Sequence, residues 1–177
     1  MKPHMRRNAL LVYMGIALMA LVAPVIWQAR TRIVYNPSDS VARGWYRISP
    51  DVGPNSLRVG SIVLARLPNI VAAFAAQRGY LPGGVPILKR IGAIAPQSVC
   101  VREQVVRIDG KAVVTARSHD GARRPLPAWA QCRRLAENEL FLLSDTNPAS
   151  FDSRYFGPID ASAVLGIATP LWTWSTP

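Results

Sequence analysis

Apolar and polar residues alternate along much of the chain, and alternation of this kind is typical of β-strands with one buried face. It predicts strands over these segments: 61–65, 85–94, 98–102, 104–108, 111–115, 139–144 and 163–174. Asp109-Gly110 lies between two of them and favours a tight hairpin turn, because both central positions of that turn need a positive φ. One short Ala-rich helix is predicted at 69–78, before Gly79. The pattern therefore predicts a mainly β domain with little helix.

Residues 8–29 carry no charge and are largely apolar. A membrane-spanning helix needs about 20 residues of this kind, and the basic residues that precede the segment place the N-terminus in the cytoplasm by the positive-inside rule. A cleaved secretory signal is the alternative, because a basic start, an apolar run and small residues also suit one. The length of the run and Trp27, an aromatic typical of membrane interfaces, favour a retained anchor at 1–29 and an extracytoplasmic domain at 30–177.

The 177 residues suit one compact domain with an appendage, so one active site is expected. The net charge of +11 attracts anionic lipid headgroups, nucleic acid or an acidic partner. The basic residues are scattered and are not interleaved with aromatic residues that would stack on bases. We therefore expect a membrane surface as partner and no nucleic acid. Segment 117–134, rich in basic residues and proline, predicts an exposed excursion between strands.

Histidine, the usual general base, occurs only at His4 and His119. A Ser-His-Asp triad would rest on His119 alone, in a basic loop without a nucleophile-elbow pattern, so His119 is interpreted as a solvated residue. With only two histidines, the chain also lacks the ligands for a hydrolytic metal site, so neither a metal nor a cofactor is expected.

The two cysteines, Cys100 and Cys132, lack the close spacing of a zinc or redox site. An extracytoplasmic location would allow them to form one disulfide, because disulfides persist in oxidising compartments. Two unpaired buried thiols are the alternative.

The chain contains three lysines among its 21 basic residues: Lys2, Lys89 and Lys111. Arginine keeps its proton in a protein, whereas a desolvated lysine becomes a neutral amine that accepts a proton from a nucleophile. Strand alternation puts Lys89 on one face with Ile87 and Ile91, so its neighbours are apolar. Burial there would lower its pKa from about 10.4 toward about 7 to 8, the range of a general base near neutral pH. The alternative is a strand-edge lysine whose amine reaches water.

Two polar segments carry candidate partners for this lysine. Ser38 and Ser40 follow the apolar N-terminal segment, where a serine held on rigid backbone would act as nucleophile; an ordinary turn is the alternative. Segment 144–158 is dense in side chains that form local hydrogen bonds, which is typical of functional loops. Its alternative role is structural, through an ion pair between Asp152 and Arg154 that only holds the loop.

Taken in order, the apolar segment, the serine loop, the lysine strand and the Asp-Ser-Arg loop resemble the type I signal peptidases, and most closely the TraF-type maturation peptidases of conjugative transfer systems. Ser40 ahead of the Gly-Trp-Tyr run at 44–46 matches the family's nucleophile segment, Lys89 matches its general base, and 144–158 is the most specific match. The resemblance implies a signal-peptidase-like β-rich catalytic domain behind one N-terminal transmembrane helix. It also implies the inner membrane as location, with the catalytic domain on the periplasmic side.

The resemblance further implies a role for each site residue. Lys89 removes the proton of Ser40, which attacks the scissile carbonyl, and backbone N–H groups with Ser38 stabilise the oxyanion. Ser150 matches the hydroxyl that orients the lysine, and Asp152 either assists the reaction or pairs with the neighbouring arginine. The proline that often follows the family nucleophile by two residues is an alanine here, so Ser38 remains an alternative nucleophile.

The substrate that the resemblance implies is a secreted precursor, such as a propilin of conjugative transfer, cleaved after small residues. Some TraF-type enzymes also join the ends of the pilin into a circle. Two other functions stay open: a membrane-tethered β domain that binds a partner without catalysis, and a nucleic-acid binder with salt-sensitive affinity. The binding domain does not explain why the serine, lysine and Asp-Ser-Arg segments occur together in the family order, and the nucleic-acid binder predicts that Lys89 is irrelevant.

Overall fold

The structure, a computed structural model, describes residues 3–30, 32–53, 56–144 and 146–174. The chain divides into two compact units, Met1–Arg32 and Ile33–Pro177. Helix α1 (Pro3–Arg30) forms the first unit and covers the apolar segment 8–29, although the side chain of Trp27 lies outside the described part. None of the helices in the described ranges has both the length and the hydropathy of a membrane-spanning segment. The membrane anchor stays a prediction.

The rest of the chain is mainly β, as predicted. Its strands are β1 (Arg32–Asn36), β2 (Gly44–Ser49), β3 (Ile62–Ala65), β4 (Ile87–Ile94), β5 (Ser98–Arg102), β6 (Val105–Ile108), β7 (Lys111–Thr115), β8 (Cys132–Arg134), β9 (Glu139–Leu143), β10 (Ile159–Asp160) and β11 (Val164–Thr173). The short helices are α2 (Asn69–Gln77), α3 (Ser153–Phe156) and a 3-10 turn (Ala161–Ala163). Seven strands form one sheet in the order β1-β2-β11-β3-β4-β9-β10, and four form a second sheet in the order β7-β6-β5-β8.

All the strand segments predicted from alternation are strands here, with ends that differ by two residues at most. The predicted hairpin is confirmed, since Asp109 and Gly110 join β6 to β7 with φ values of 49° and 80°. Four further strands, β1, β2, β8 and β10, are not predicted by alternation. In β2 the burial alternates but the residue types do not, because the exposed Trp45 is as apolar as its buried neighbour Tyr46.

Strand β9 supplies side chains to the hydrophobic cores of both sheets. Leu142 packs with Val63 in the core of the large sheet, and Phe141, on the opposite face of the strand, packs with Val106 in the core of the second sheet. A strand that is buried on both faces needs an apolar residue at nearly every position, which explains the unbroken Leu-Phe-Leu-Leu run after Glu139.

Strand β4 places the lysine singled out by the sequence. Lys89 lies opposite Val63 of β3, in the interior of the large sheet. Ile87 and Ile91 are buried on the same face, as strand alternation predicts. The lysine is therefore held by regular strand pairing rather than by a mobile surface loop.

A disulfide lies within the second sheet. Cys100 of β5 and Cys132 of β8 are directly opposite each other and their sulfur atoms are bonded. Because Cys132 belongs to the excursion 117–134, this bond attaches the end of the excursion to the sheet.

Candidate active site

The loop between β1 and β2 carries both candidate serines and is organised by the side chain of Asn36. Its Nδ2 donates to the carbonyl oxygens of Ser38, Val41 and Ala42, at 2.9, 3.1 and 3.1 Å. Its Oδ1 accepts from the backbone N–H and the hydroxyl of Ser38, at 3.2 and 2.9 Å. Asn36 is buried, and its bond to the carbonyl oxygen of Val41 is buried with it. One amide group thereby fixes both ends of the loop.

Two residues of β2 hold the far end of this loop. Gly44 has a φ of 146°, and a Cβ there would overlap the carbonyl oxygen of Trp172 on β11, so a larger residue does not fit. Tyr46 is fully buried, and its hydroxyl donates to the carbonyl oxygen of Ala42 at 2.6 Å. These contacts give a physical reason for the Gly-Trp-Tyr run that follows the serines.

Ser40 lies against the strand that carries the lysine. Its Oγ is 2.9 Å from Ser38 Oγ and donates to the carbonyl oxygen of Leu88 at 3.1 Å. Between the described atoms there is no direct hydrogen bond from Ser40 Oγ to Lys89 Nζ, but both side chains line one cleft of about 830 Å³. Catalytic hydrogen bonds often shorten only when substrate is bound. The structure thus brings the candidate nucleophile and the candidate base to one cavity.

Lys89 is 5% exposed, so its amine does not reach bulk water as the surface alternative requires. Its Nζ donates to Ser150 Oγ. Burial lowers the pKa of Lys89 from 10.5 to about 8; the Asp152 carboxylate opposes this shift and the Arg154 guanidinium adds to it. A substantial fraction of the amine is therefore neutral at mildly alkaline pH.

The loop after β9, which carries Ser150, is held by a buried ion pair. Arg154 and Asp152 are both inaccessible to solvent, and two parallel bonds of 2.8 Å join the guanidinium to the carboxylate. Arg154 also donates to the carbonyl oxygens of Pro148 and Ser150, at 3.2 and 3.0 Å. Asp152 additionally accepts from the backbone N–H of Ser144 at 2.9 Å. Of the two roles left open for Asp152, the structure shows the pair with Arg154.

Thr146 joins this loop to the serine loop. Its hydroxyl donates to the carbonyl oxygen of Asp39. Because the peptide bond is trans, the N–H of Ser40 points to the opposite side from that oxygen. Among the described residues this N–H has no hydrogen-bond partner.

Asn36 and Thr146 hold the site in the structure but are not among the residues predicted from the sequence. For Asn36 a signal exists, since an Asn two residues before a Ser is the spacing of an Asx turn, in which the side chain binds a backbone N–H two residues on. Thr146 carries no comparable signal, because its contact spans 107 residues of sequence.

The remainder of the cleft is largely apolar and is lined by Leu67, Ala75, Leu81, Ile87 and Phe151. Tyr80 and Asp120 also line it, and the Tyr80 hydroxyl donates to Asp120 Oδ2 at 2.6 Å. This hydrogen bond is the main reason why the pKa of Asp120 lies well below its usual value. The excursion 117–134, predicted to be an exposed connection, therefore also contributes to the cleft.

A family model described as "Signal peptidase, peptidase S26" matches residues 5–174. The chain belongs to this signal peptidase family. The predicted resemblance is thus confirmed, and it extends over nearly the whole sequence.

Relatives within the signal peptidase family carry names from conjugation. The "Plasmid transfer protein TraF" of Escherichia coli is 31% identical over 173 residues, which cover 92% of this chain and 93% of the relative. The "Probable conjugal transfer protein TraF" of Sinorhizobium fredii (strain NBRC 101917 / NGR234) is 32% identical over 183 residues, covering 96% and 94%. A crystal structure of a signal peptidase I from Enterococcus faecalis V583 is 21% identical and covers 63% of this chain and 96% of that chain. Its TM-score of 0.38 is too low to establish a common fold.

Among the residues that the structure describes, no histidine lies in the candidate active site. His119 is exposed, and its Nδ1 lies 3.0 Å from the hydroxyl of the adjacent Ser118. The side chain of His4 lies outside the described residues. Within the described ranges, no three His, Cys, Asp or Glu side chains gather at one point that would hold a metal ion.

Proposed function

We propose that this member of the peptidase S26 family is a serine endopeptidase in which Ser40 is the nucleophile and Lys89 the general base. The observation that carries the proposal is the buried amine of Lys89, which has a pKa of about 8 and lines the same cleft as Ser40. A general base works best when its pKa lies near the working pH, and burial is the physical means of bringing a lysine there.

The reaction begins when a peptide carbonyl of the substrate lies next to Ser40 Oγ. Neutral Lys89 takes the hydroxyl proton as Oγ attacks the carbonyl carbon, and the carbonyl oxygen becomes an oxyanion. The free N–H of Ser40 and the hydroxyl of Ser38 donate to this oxyanion. The Lys89 ammonium, oriented by Ser150, then gives its proton to the leaving amine as the peptide C–N bond breaks.

An acyl-enzyme on Ser40 remains after the first product leaves. Lys89, neutral again, removes a proton from the incoming nucleophile, which attacks the ester carbonyl and releases Ser40. If the nucleophile is water, the product is a linear chain; if it is an amine of the precursor itself, the product is circular.

The hydrogen bonds support Ser40 over Ser38 as the nucleophile. The hydroxyl of Ser38 donates to Asn36 Oδ1, away from the lysine. Ser40 Oγ instead bonds to the carbonyl oxygen of Leu88, the residue before Lys89. Asp152 acts in this proposal through Arg154 and the loop that presents Ser150, and it does not exchange protons with the substrate.

The substrate in this proposal is a secreted precursor with small residues before the scissile bond, such as a propilin of conjugative transfer. The conjugation names of the relatives support that assignment, and the apolar cleft suits a peptide with small or apolar side chains. We further assign residues 1–29 as a membrane anchor, supported by the uncharged run at 8–29. It would hold the domain on the periplasmic side of the inner membrane, where the domain contacts both the precursor and the lipid headgroups.

The test compares wild type, Ser40→Ala, Ser38→Ala and Lys89→Ala in detergent micelles, with a precursor peptide as substrate. We expect Ser40→Ala and Lys89→Ala to lose cleavage and Ser38→Ala to keep a reduced rate. Lys111→Ala is the matched control, because Lys111 is an exposed lysine on β7 and its loss should leave the rate unchanged. If Ser40→Ala remains active, the nucleophile is Ser38 rather than Ser40. If the wild type cleaves no precursor, a non-catalytic binding domain is favoured.

A further inference from the structure

The side-chain amide of Asn36 makes five hydrogen bonds, all within the loop that carries Ser38 and Ser40. Its Nδ2 shares two hydrogens among three carbonyl oxygens, and its Oδ1 accepts two hydrogens from Ser38. The orientation of the amide is unambiguous, because the backbone N–H of Ser38 can only donate. Asn36 is 4% exposed and its bond to Val41 is buried, whereas its bonds to Ser38 and Ala42 are partly buried.

The same bonds decide where the hydroxyl hydrogens of the two serines point. Asn36 Oδ1 carries no hydrogen, so its 2.9 Å contact with Ser38 Oγ uses the single hydroxyl hydrogen of Ser38. In its 2.9 Å contact with Ser40 Oγ, Ser38 Oγ can then only accept. The hydroxyl hydrogen of Ser40 is therefore directed to Ser38 Oγ or to the carbonyl oxygen of Leu88.

We propose that Asn36 is a positioning residue for the reaction: it holds the nucleophile loop in shape and keeps the hydroxyl hydrogen of Ser38 until an oxyanion forms at Ser40. This inference rests on the proposed peptidase function. In the resting loop Ser38 donates to a neutral amide oxygen. The oxyanion is a stronger acceptor, because hydrogen bonds to a charged oxygen are about twice as strong as neutral ones. The hydroxyl then turns from Asn36 to the oxyanion, while the carbonyl bonds to Nδ2 keep the loop in place.

The role calls for the specific chemistry of an asparagine at position 36. An alanine would remove this donor from the buried carbonyl oxygen of Val41, which is costly in a dry site, and would also break the bonds to Ser38 and Ala42 that shape the loop. An aspartate has the same shape, but its second oxygen would face three carbonyl oxygens and repel them. Asparagine offers a donor and an acceptor on a side chain short enough to stay within the loop.

The experiment measures precursor cleavage and the acylation of Ser40 by a fluorophosphonate probe, per folded molecule. The enzymes are wild type, Asn36→Ala, Ser38→Ala and the double variant. Asn36→Ala is expected to lower kcat by about 10²-fold with a smaller change in KM, the loss that a slightly misplaced reacting group causes. In the Ser38→Ala background the same change should cost a smaller factor, because no hydroxyl remains to be held. Asn138→Ala, the same substitution at an exposed asparagine that does not line the cleft, is the control and should keep both constants near wild type.

Two results would overturn this inference and leave the proposed function standing. In the first, Asn36→Ala reacts with the probe as fast as a reactive wild type does. In the second, Asn36→Ala lowers kcat by the same factor in the wild-type and Ser38→Ala backgrounds. A wild type that neither cleaves the precursor nor reacts with the probe would overturn the proposed function and this inference with it.

If Asn36→Ala does not fold, the stability of Asn36→Asp provides the test. Repulsion from the carbonyl oxygens would raise the pKa of the new carboxyl above its ordinary ~3.9 in the folded state. Its stability is then retained in acid and lost as pH rises, so its melting temperature should fall further below that of wild type between about pH 4 and 7. A difference that stays constant over this range would contradict the arrangement of bonds around Asn36.

Discussion

Lys89 and Ser150 are hydrogen-bonded to each other although they lie 61 residues apart in the chain, one on a strand of the large sheet and the other in the loop after β9. The backbone of Ser150 is held in turn by Arg154, which donates to its carbonyl oxygen at 3.0 Å. The position of the candidate base therefore depends on a loop as well as on a strand.

The rate of cleavage should rise with pH as Lys89 loses its proton. With a pKa of about 8, kcat/KM is expected to increase about tenfold per pH unit below pH 8 and to level off above about pH 9. Lys89→Arg, which keeps its charge at all these pH values, should stay inactive throughout. The measurement is a pH–rate profile on a precursor peptide. A rise centred near 10.5, the value of an ordinary lysine, would contradict a buried base.

The stability of the protein should also depend on pH through Lys89. The pKa is about 8 in the folded state and 10.5 in the unfolded state, so the unfolded chain binds more protons between these values and stability rises with pH there. Lys89→Met removes this effect. We expect wild type to gain about 3 kcal/mol relative to Lys89→Met between pH 8 and 10.5. Urea unfolding of both proteins across this range measures it, and parallel pH profiles would contradict it.

Removing one partner of the buried Asp152–Arg154 pair should be strongly destabilising. Asp152→Asn is expected to lower the free energy of unfolding by about 3–5 kcal/mol, because it leaves the buried guanidinium uncompensated. Adding Arg154→Met should recover part of that loss, since no unpaired charge remains. Urea denaturation of the single and double variants gives both values. A double variant less stable than Asp152→Asn would show that the loop depends on the backbone contacts of Arg154 more than on its charge balance.

The disulfide should contribute to stability through the chain that it closes. Cys100 and Cys132 are separated by 32 residues, and for a loop of this length the bond is expected to add about 3–4 kcal/mol. The double variant Cys100→Ser/Cys132→Ser should therefore unfold at a lower urea concentration than wild type. A reducing agent should bring wild type to the level of the variant and leave the variant unchanged. An effect of the reductant on the variant would point to a cause other than this bond.

The sequence predicts the parts of this protein that depend on local pattern. The faces of β4 follow from alternation, which puts Lys89 beside Ile87 and Ile91 but leaves its burial open. The hairpin follows from Asp109 and Gly110 between two alternating runs. The serine and Ser150 segments are found through their order in a known family. The role of Asn36 is not predicted from the sequence, because it depends on five simultaneous contacts within the folded loop. Strand β8 is exposed throughout and leaves no apolar pattern, so it emerges only from pairing with β5.

Strand β9 links the second sheet to the loop that carries Ser150. This loop starts at Ser144, directly after β9 ends, and Phe141 of β9 packs in the core of the second sheet. A change deep in the second sheet, such as a cavity beside Phe141, would therefore be transmitted along the strand to the loop that orients Lys89. The packing of the second sheet therefore bears on the position of Ser150 and, through it, on Lys89, the proposed general base.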